Sequence, residues 1–157
     1  MNIEQYERNP YVISTDPARL DPSAVHAYLS ASYWADGIPL DAVGKSLAAS
    51  LCFGLYAPAG QIGLVRVITD HATFAYLCDV YVLPAHQGRG LGRWLLRCVM
   101  DSPQLQGLRR WLLVTRDAHR LYEQVGFRVA ENPDRIMEIV RPELYRAAAV
   151  DRDRDKA

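Results

Sequence analysis

The stretch Asp79–Met100, "DVYVLPAHQGRGLGRWLLRCVM", decides the fold. It opens as a strand, stops at Pro84, and sets glycines at 88, 90 and 92. An apolar face with helical spacing follows: Leu91, Trp94, Leu95, Cys98 and Val99 recur at i, i+3, i+4, i+7 and i+8. The chain therefore places its most pliable residues between a strand and a helix.

Such a turn has a physical use. The first-turn N–H groups of a helix have no intrahelical partner, and the helix dipole favours negative charge there. Glycines let the backbone curl and approach an anion with no Cβ in between. The turn thus predicts a phosphate cradle, against the alternative of a turn that only packs tightly. It is not a P-loop, which needs Lys and Ser or Thr after its last glycine, where Arg93 and Trp94 stand. Nor is it a dinucleotide fingerprint: the glycine spacing is wrong, and an acid is missing about 20 residues on, where Arg109 and Arg110 stand.

Outward from this stretch, "YVIST" (11–15) reads as a first strand. Asp21-Pro22 supplies an N-cap and a first-turn proline for a helix through Leu29, and a second helix runs from Pro39 to near Ser50. "LCFGLY" and "QIGLVRVI" form a hairpin across "APAG", and "ATFAYLCDVYV" is a third long strand after the turn at Asp70-His71. "RRWLLVT" is another strand, "DAHRLYEQVGF" a helix capped by Asp117 and stopped at Gly126, and "IMEIV" (136–140) a last strand. The order β-α-α-β-β-β-α-β-α-β predicts a mixed α/β (α+β) sheet with helices packed on it. No repeat or linker divides the chain, so a single domain spans 1–157, with an ordered core over about 10–141 and a frayed, charged tail over 147–157.

Composition sets the bounds. The 157 residues are 50% hydrophobic, with 18 basic and 18 acidic side chains and a formal net charge of zero. Nothing global favours nucleic acid or an anionic membrane. No apolar run approaches the roughly 20 residues of a membrane span, and the opening "MNIEQYERNP" lacks the order of a signal peptide. Cys52, Cys78 and Cys98 lie in apolar segments and read as reduced core residues of a cytoplasmic protein, with no metal site. The expected partner is a small molecule, with no nucleic acid and no membrane; a homodimer stays open.

Gln87-Gly88-Arg89-Gly90-Leu91-Gly92 reads Q-x-x-G-x-G, and with Val80-Tyr81-Val82 and Pro84 it resembles the acetyl-coenzyme A signature of the GNAT superfamily of N-acetyltransferases. "DAHRLYEQVGF" also resembles that superfamily's A-x-x-LY-x-x-x-GF segment, with Tyr122 and Gly126-Phe127 in place. The likeness covers about residues 10–141. It implies a mostly antiparallel central sheet with helices on both faces and a splayed strand pair that takes acetyl-coenzyme A. In that reading Val80, Tyr81 and Val82 pair through their main chain with the pantetheine arm, and one N–H steadies the oxyanion at the thioester carbonyl. Gln87 belongs to the motif, and the amides of Gly88, Arg89, Gly90, Leu91, Gly92 and Arg93 cradle the pyrophosphate, with Arg89 and Arg93 near enough to add charge. Thr115 stands where many relatives carry a cofactor-contacting asparagine.

The resemblance also implies chemistry. Acyl transfer to an amine moves one proton off the ammonium and one onto the thiolate. Tyr122 matches the family's donor to the thiolate. The base is open between Asp79, a carboxylate within an apolar strand beside the cofactor segment, and His119, one turn before Tyr122, with water as the remaining possibility. Tyr33 and Trp34, between the first two helices, either hold a cationic amine over their faces or plug the gap between helix and sheet. Arg66 hints at a carboxylate on the acceptor. The expected function is direct, ternary-complex transfer of acetyl from acetyl-coenzyme A to a primary amine, since Cys78 has no activating base and strand alternation sends it and Asp79 to opposite faces. The rivals are a silent acetyl-coenzyme A sensor or partner module and an enzyme that modifies protein amines.

Overall fold

The computed structural model describes residues 2–145. Six strands form one sheet in simple chain order: β1 (Gln5–Arg8), β2 (Tyr11–Ser14), β3 (Leu51–Ala57), β4 (Gly60–Thr69), β5 (Phe74–Val82) and β6 (Arg110–Leu113). Every neighbouring pair is antiparallel except β5 and β6. That parallel pair requires a crossover, and α3 (Leu91–Asp101) supplies it. The other helices are α1 (Pro22–Leu29), α2 (Leu40–Ala48) and the short α4 (His119–Glu123).

Helices cover both faces, as expected. Val25, Leu29, Val43 and Leu47 of α1 and α2 pack with Cys52, Leu64 and Tyr81 on one side. Leu91, Leu95, Cys98 and Val99 of α3 pack with Phe53, Val65 and Val67 on the other. The six residues Leu51–Tyr56 of β3 are therefore all buried, since neither of its faces meets solvent. Asp21 caps α1 as its sequence promised, its carboxylate accepting from the N–H groups of Ser23 and Ala24. No helix among the described residues is long and apolar enough to cross a membrane.

The fold departs from the sequence reading in three places. β1 was not anticipated, because "QYER" has no apolar alternation. It is held by pairing with β2 and by Glu4 just before it, whose carboxylate accepts from Ser102, Gln104 and Tyr6. The last expected strand, 136–140, is absent from the sheet: these residues are exposed and pair with no strand among the described residues. The helix expected from Asp117 starts two residues later. Asp117 pairs with Arg116 instead of capping, and the N–H of Ala118 donates to Thr115 Oγ1. The expected tail over 147–157 lies outside the described residues.

Two irregularities shape the site. The β5–β6 ladder stops at Leu77 opposite Leu113, while β5 continues to Val82 against β4 alone. The expected splay is therefore present. In addition, β5 bulges: Cys78 to Tyr81 takes three steps opposite two from Arg66 to Leu64. The bulge falls at Asp79, which adopts φ 51, a left-handed value uncommon outside glycine. Beyond the bulge, opposite Val82, Gly63 permits the close approach of the strands, since a Cβ there would stand 2.7 Å from the Tyr81 carbonyl oxygen.

Candidate active site in the splay

A groove of about 1300 Å³ occupies the splay. Its floor is the unpaired side of β5 from Cys78 to Val82, one end is the glycine turn opening α3, and the far wall is Tyr122 of α4. Beyond Leu77, β6 offers β5 no partner, so an extended ligand arm finds a strand edge waiting. At the other end Gly88 and Gly90 take φ +75 and +72, and the first turn of α3 lines the groove. The Gly90 carbonyl accepts from Trp94, which leaves the N–H groups of Leu91, Gly92 and Arg93 as the orphan donors of the first turn. Strand edge, curled loop and free amides fit an arm that ends in a pyrophosphate.

Not every motif residue faces this groove. Gln87 acts as a brace: its Nε2 donates to the Val82 carbonyl at 2.8 Å, tying the loop to the end of β5. Arg89 lies outside the lining and donates to the Tyr11 hydroxyl, whereas Arg93 lines the groove. Thr115 lines it too, but its oxygen already accepts from Ala118, leaving only the hydroxyl proton to offer.

Tyr122 is buried, and its hydroxyl has no hydrogen-bond partner among the described residues. Burial, with smaller contributions from Tyr33, Cys78 and Tyr76, pushes its pKa up to about 12. The phenol therefore stays protonated through neutral pH and is ready to donate. His119 opens α4 but lines a different groove, along the outer edge of β6. The structure does not bring it to the splay.

Asp79 is not the isolated carboxylate that an apolar strand suggested. Arg66 Nε donates to Oδ2 at 2.6 Å, and Trp34 Nε1 donates to Oδ1 at 3.1 Å. Arg66 also donates to Ser50 Oγ, so its guanidinium is committed inside the protein and does not reach out for an acceptor carboxylate. Side chains of the pair are 15% and 10% exposed, so removing one partner strands a charge that water reaches poorly. Arg66→Met should lower stability by about 3 kcal/mol, near the low end for a broken buried pair. Adding Asp79→Asn should recover part of it. Melting curves of the single and double variants check this; additive losses would mean the pair is uncoupled.

The bulge also overturns the alternation argument about Cys78. With one extra residue in β5, Cys78 and Asp79 both line the groove. The thiol is still a poor nucleophile for a different reason: burial pushes its pKa up to about 12, and its S–H donates toward the Arg66 carbonyl.

The loop between α1 and α2 closes the open side. Tyr33 and Trp34 pack edge to face at 5.0 Å, and the guanidinium of Arg116 lies 3.8 Å from the Tyr33 ring centre. The N–H of Arg116 also donates to the Tyr33 hydroxyl, so the loop after β6 is strapped to the loop after α1. Tyr28 stacks on Tyr81 at 3.8 Å. Tyr28 and Tyr76 were missed as lining residues, because one sits on an apolar helix face and the other in an alternating strand, where both read as core.

This arrangement has known counterparts. Residues 48–129 match the model of the acetyltransferase (GNAT) domain. A crystal structure of a GNAT-family protein from Xanthomonas campestris pv. campestris is 46% identical, with a TM-score of 0.84 over 88% of this chain and 99% of that one. A Gibberella zeae protein, provisionally named an acetyltransferase, is 42% identical over 76% of this chain and 79% of its own. A Staphylococcus aureus structure at 22% identity and TM-score 0.66 shares the fold, covering 83% of this chain and 98% of that one. With the splayed strands, the glycine turn and Tyr122 in place, these matches show that the chain belongs to the GNAT superfamily of acetyltransferases.

Proposed function

We propose that the protein transfers acetyl from acetyl-coenzyme A to a primary amine in a ternary complex, without a covalent acetyl-enzyme. One observation carries this reading: a single groove runs from the orphan amides of α3, past Tyr122, to an aromatic chamber holding a carboxylate. The strand edge of Val80–Val82 and the amides of Leu91, Gly92 and Arg93 would hold the cofactor, which supplies an activated acetyl thioester when bound. Tyr28, Tyr33, Trp34 and Tyr76 would wall the acceptor end, and Asp79, Asp117 and Glu138 are the acids that line the groove. Aromatic faces beside carboxylates attract a cationic amine.

Tyr122 donates its proton toward the departing sulfur as the carbon–sulfur bond breaks. Asp79 serves as the anchor for the ammonium group. With both oxygens already accepting bonds, it attracts the amine better than it strips its proton, and water takes that proton. Asp79→Asn should therefore raise KM for the amine about tenfold or more, while the acidic limb of the pH–rate profile, set by the amine itself, persists. Disappearance of that limb would make Asp79 the base.

The direct test measures coenzyme A thiol release with a panel of small amines and lysine peptides. Turnover with an aromatic-binding small amine is the expected result. Binding of acetyl-coenzyme A without release for any acceptor would favour a sensor, and release only with peptides would favour a protein-modifying enzyme.

A further inference from the structure

The hairpin of β1 and β2 reaches the glycine turn, although no motif includes it. Arg8 and Tyr11 stand opposite each other at its mouth, so their side chains leave the same face. Both arrive at the turn. The Tyr11 hydroxyl accepts from Arg89 Nη1 at 2.9 Å, and the Tyr11 ring meets His86 edge to face at 6.0 Å. Arg8 Nη1 lies 3.8 Å from where a Cβ on Gly90 would stand. The hairpin thus braces the turn and brings a guanidinium to it.

Arg8, Arg89 and Arg93 therefore gather at one loop. None of them is in an ion pair among the described residues. Like charges brought together without a carboxylate repel, and a bound anion relieves that repulsion. The arginines divide by side. Arg93 lines the splay groove with the orphan amides of α3, whereas Arg8 and Arg89 lie outside that lining, beside the hairpin. Next to Tyr11, His86 keeps its Nδ1 buried without a hydrogen-bond partner among the described residues, so the loop also holds an unmet polar atom.

We propose, on the coenzyme A reading of the groove, that Arg8 and Arg89 form the subsite for the phosphomonoester on the cofactor's ribose. The β1–β2 hairpin thereby selects coenzyme A over its dephosphorylated form. A phosphomonoester carries about −1.5 to −2 charge at neutral pH, and guanidinium forks bind it through paired N–H donors. The pyrophosphate has the amides of Leu91, Gly92 and Arg93 in the groove, which leaves the two outer guanidiniums to the remaining phosphate. Tyr11 holds Arg89 by a bond from a neutral group, so its charge is positioned without being cancelled.

Calorimetry with coenzyme A and dephospho-coenzyme A tests the subsite without any acyl transfer. The wild type should bind coenzyme A about tenfold tighter, or more. Arg8→Met should bind both carriers alike, at the wild type's affinity for the dephosphorylated form. Arg8→Lys should keep part of the preference, since the charge remains and the fork is lost. Arg8 is exposed, so these variants should melt as the wild type does. Arg89→Met gives a second, independent reading, and the preference should fall there too. Equal affinity of the wild type for the two carriers overturns the proposal. So does a preference that survives either methionine variant, or an equal loss for both carriers in Arg8→Met, which would make Arg8 a pyrophosphate contact. A wild type that binds neither carrier removes the coenzyme A reading itself and the subsite with it, an outcome distinct from the others.

Discussion

Tyr122→Phe should cut turnover by about 10²-fold, or roughly 2.7 kcal/mol of barrier, while acetyl-coenzyme A affinity stays nearly unchanged. The ring is what packs: it is buried and meets Phe127 edge to face at 6.1 Å. The hydroxyl has no partner to lose among the described residues, so its removal costs the resting protein little. Its contribution arises only as negative charge gathers on sulfur. A thiol leaves readily, which places the effect at the lower end of the general-acid range. Stopped-time assays of thiol release, with calorimetry for affinity, separate the possibilities. Full turnover would make Tyr122 a packing residue and leave solvent to protonate the thiolate. Lost affinity with a lower Tm would make it structural.

Bulk placed at the glycine turn should abolish cofactor binding, with acetyl-coenzyme A affinity falling by about 10²-fold or more as the orphan amides lose access to their anion. Gly90→Val and Gly92→Val divide the effect into its causes. Gly90 holds φ +72, so a β-branched side chain there strains the backbone by about 1–3 kcal/mol even before any ligand arrives. Gly92 lies inside the first turn of α3, where a Cβ would touch only Leu121, at an ordinary 3.9 Å. Its valine variant should fold and melt nearly as the wild type does, with binding lost because the side chain stands over the amides. If calorimetry shows Gly92→Val binding normally, the cradle reading is wrong, since strain is no longer available to explain a loss at Gly90.

The sequence carried most of this design where a local rule had one outcome. Asp21-Pro22 could only open a helix, and the glycines after Pro84 could only serve a tight strand-to-helix turn. The three runs read as strands from 51 to 82 became β3, β4 and β5. The failures came where tertiary partners decide. "QYER" is a strand because Glu4 and β2 hold it, which no pattern in four polar residues reveals. "IMEIV" has every local mark of a strand, yet a strand is defined by its neighbour, and among the described residues it has none. Asp79 lies on the β5 edge, but its pairing with Arg66 and Trp34 joins positions 13 and 45 residues away. The bulge that brings Cys78 and Asp79 to one groove depends on a slip between two strands, which alternation along one strand cannot report.

The ladder that stops at Leu77 has a thermodynamic meaning for the catalytic cycle. A ligand arm lying along Cys78–Val82 takes the place of the missing sheet neighbour, so its binding free energy is also conformational stability, worth about 2.7 kcal/mol at a hundredfold excess over Kd. On the proposed function the gap would grip the arm and the pyrophosphate, which are the same before and after the acetyl group departs. Spent and charged carriers would then be held by nearly the same contacts. In the proposed reaction, product retention would therefore follow from the backbone, and the difference between the two carriers would rest on the few atoms beside Tyr122.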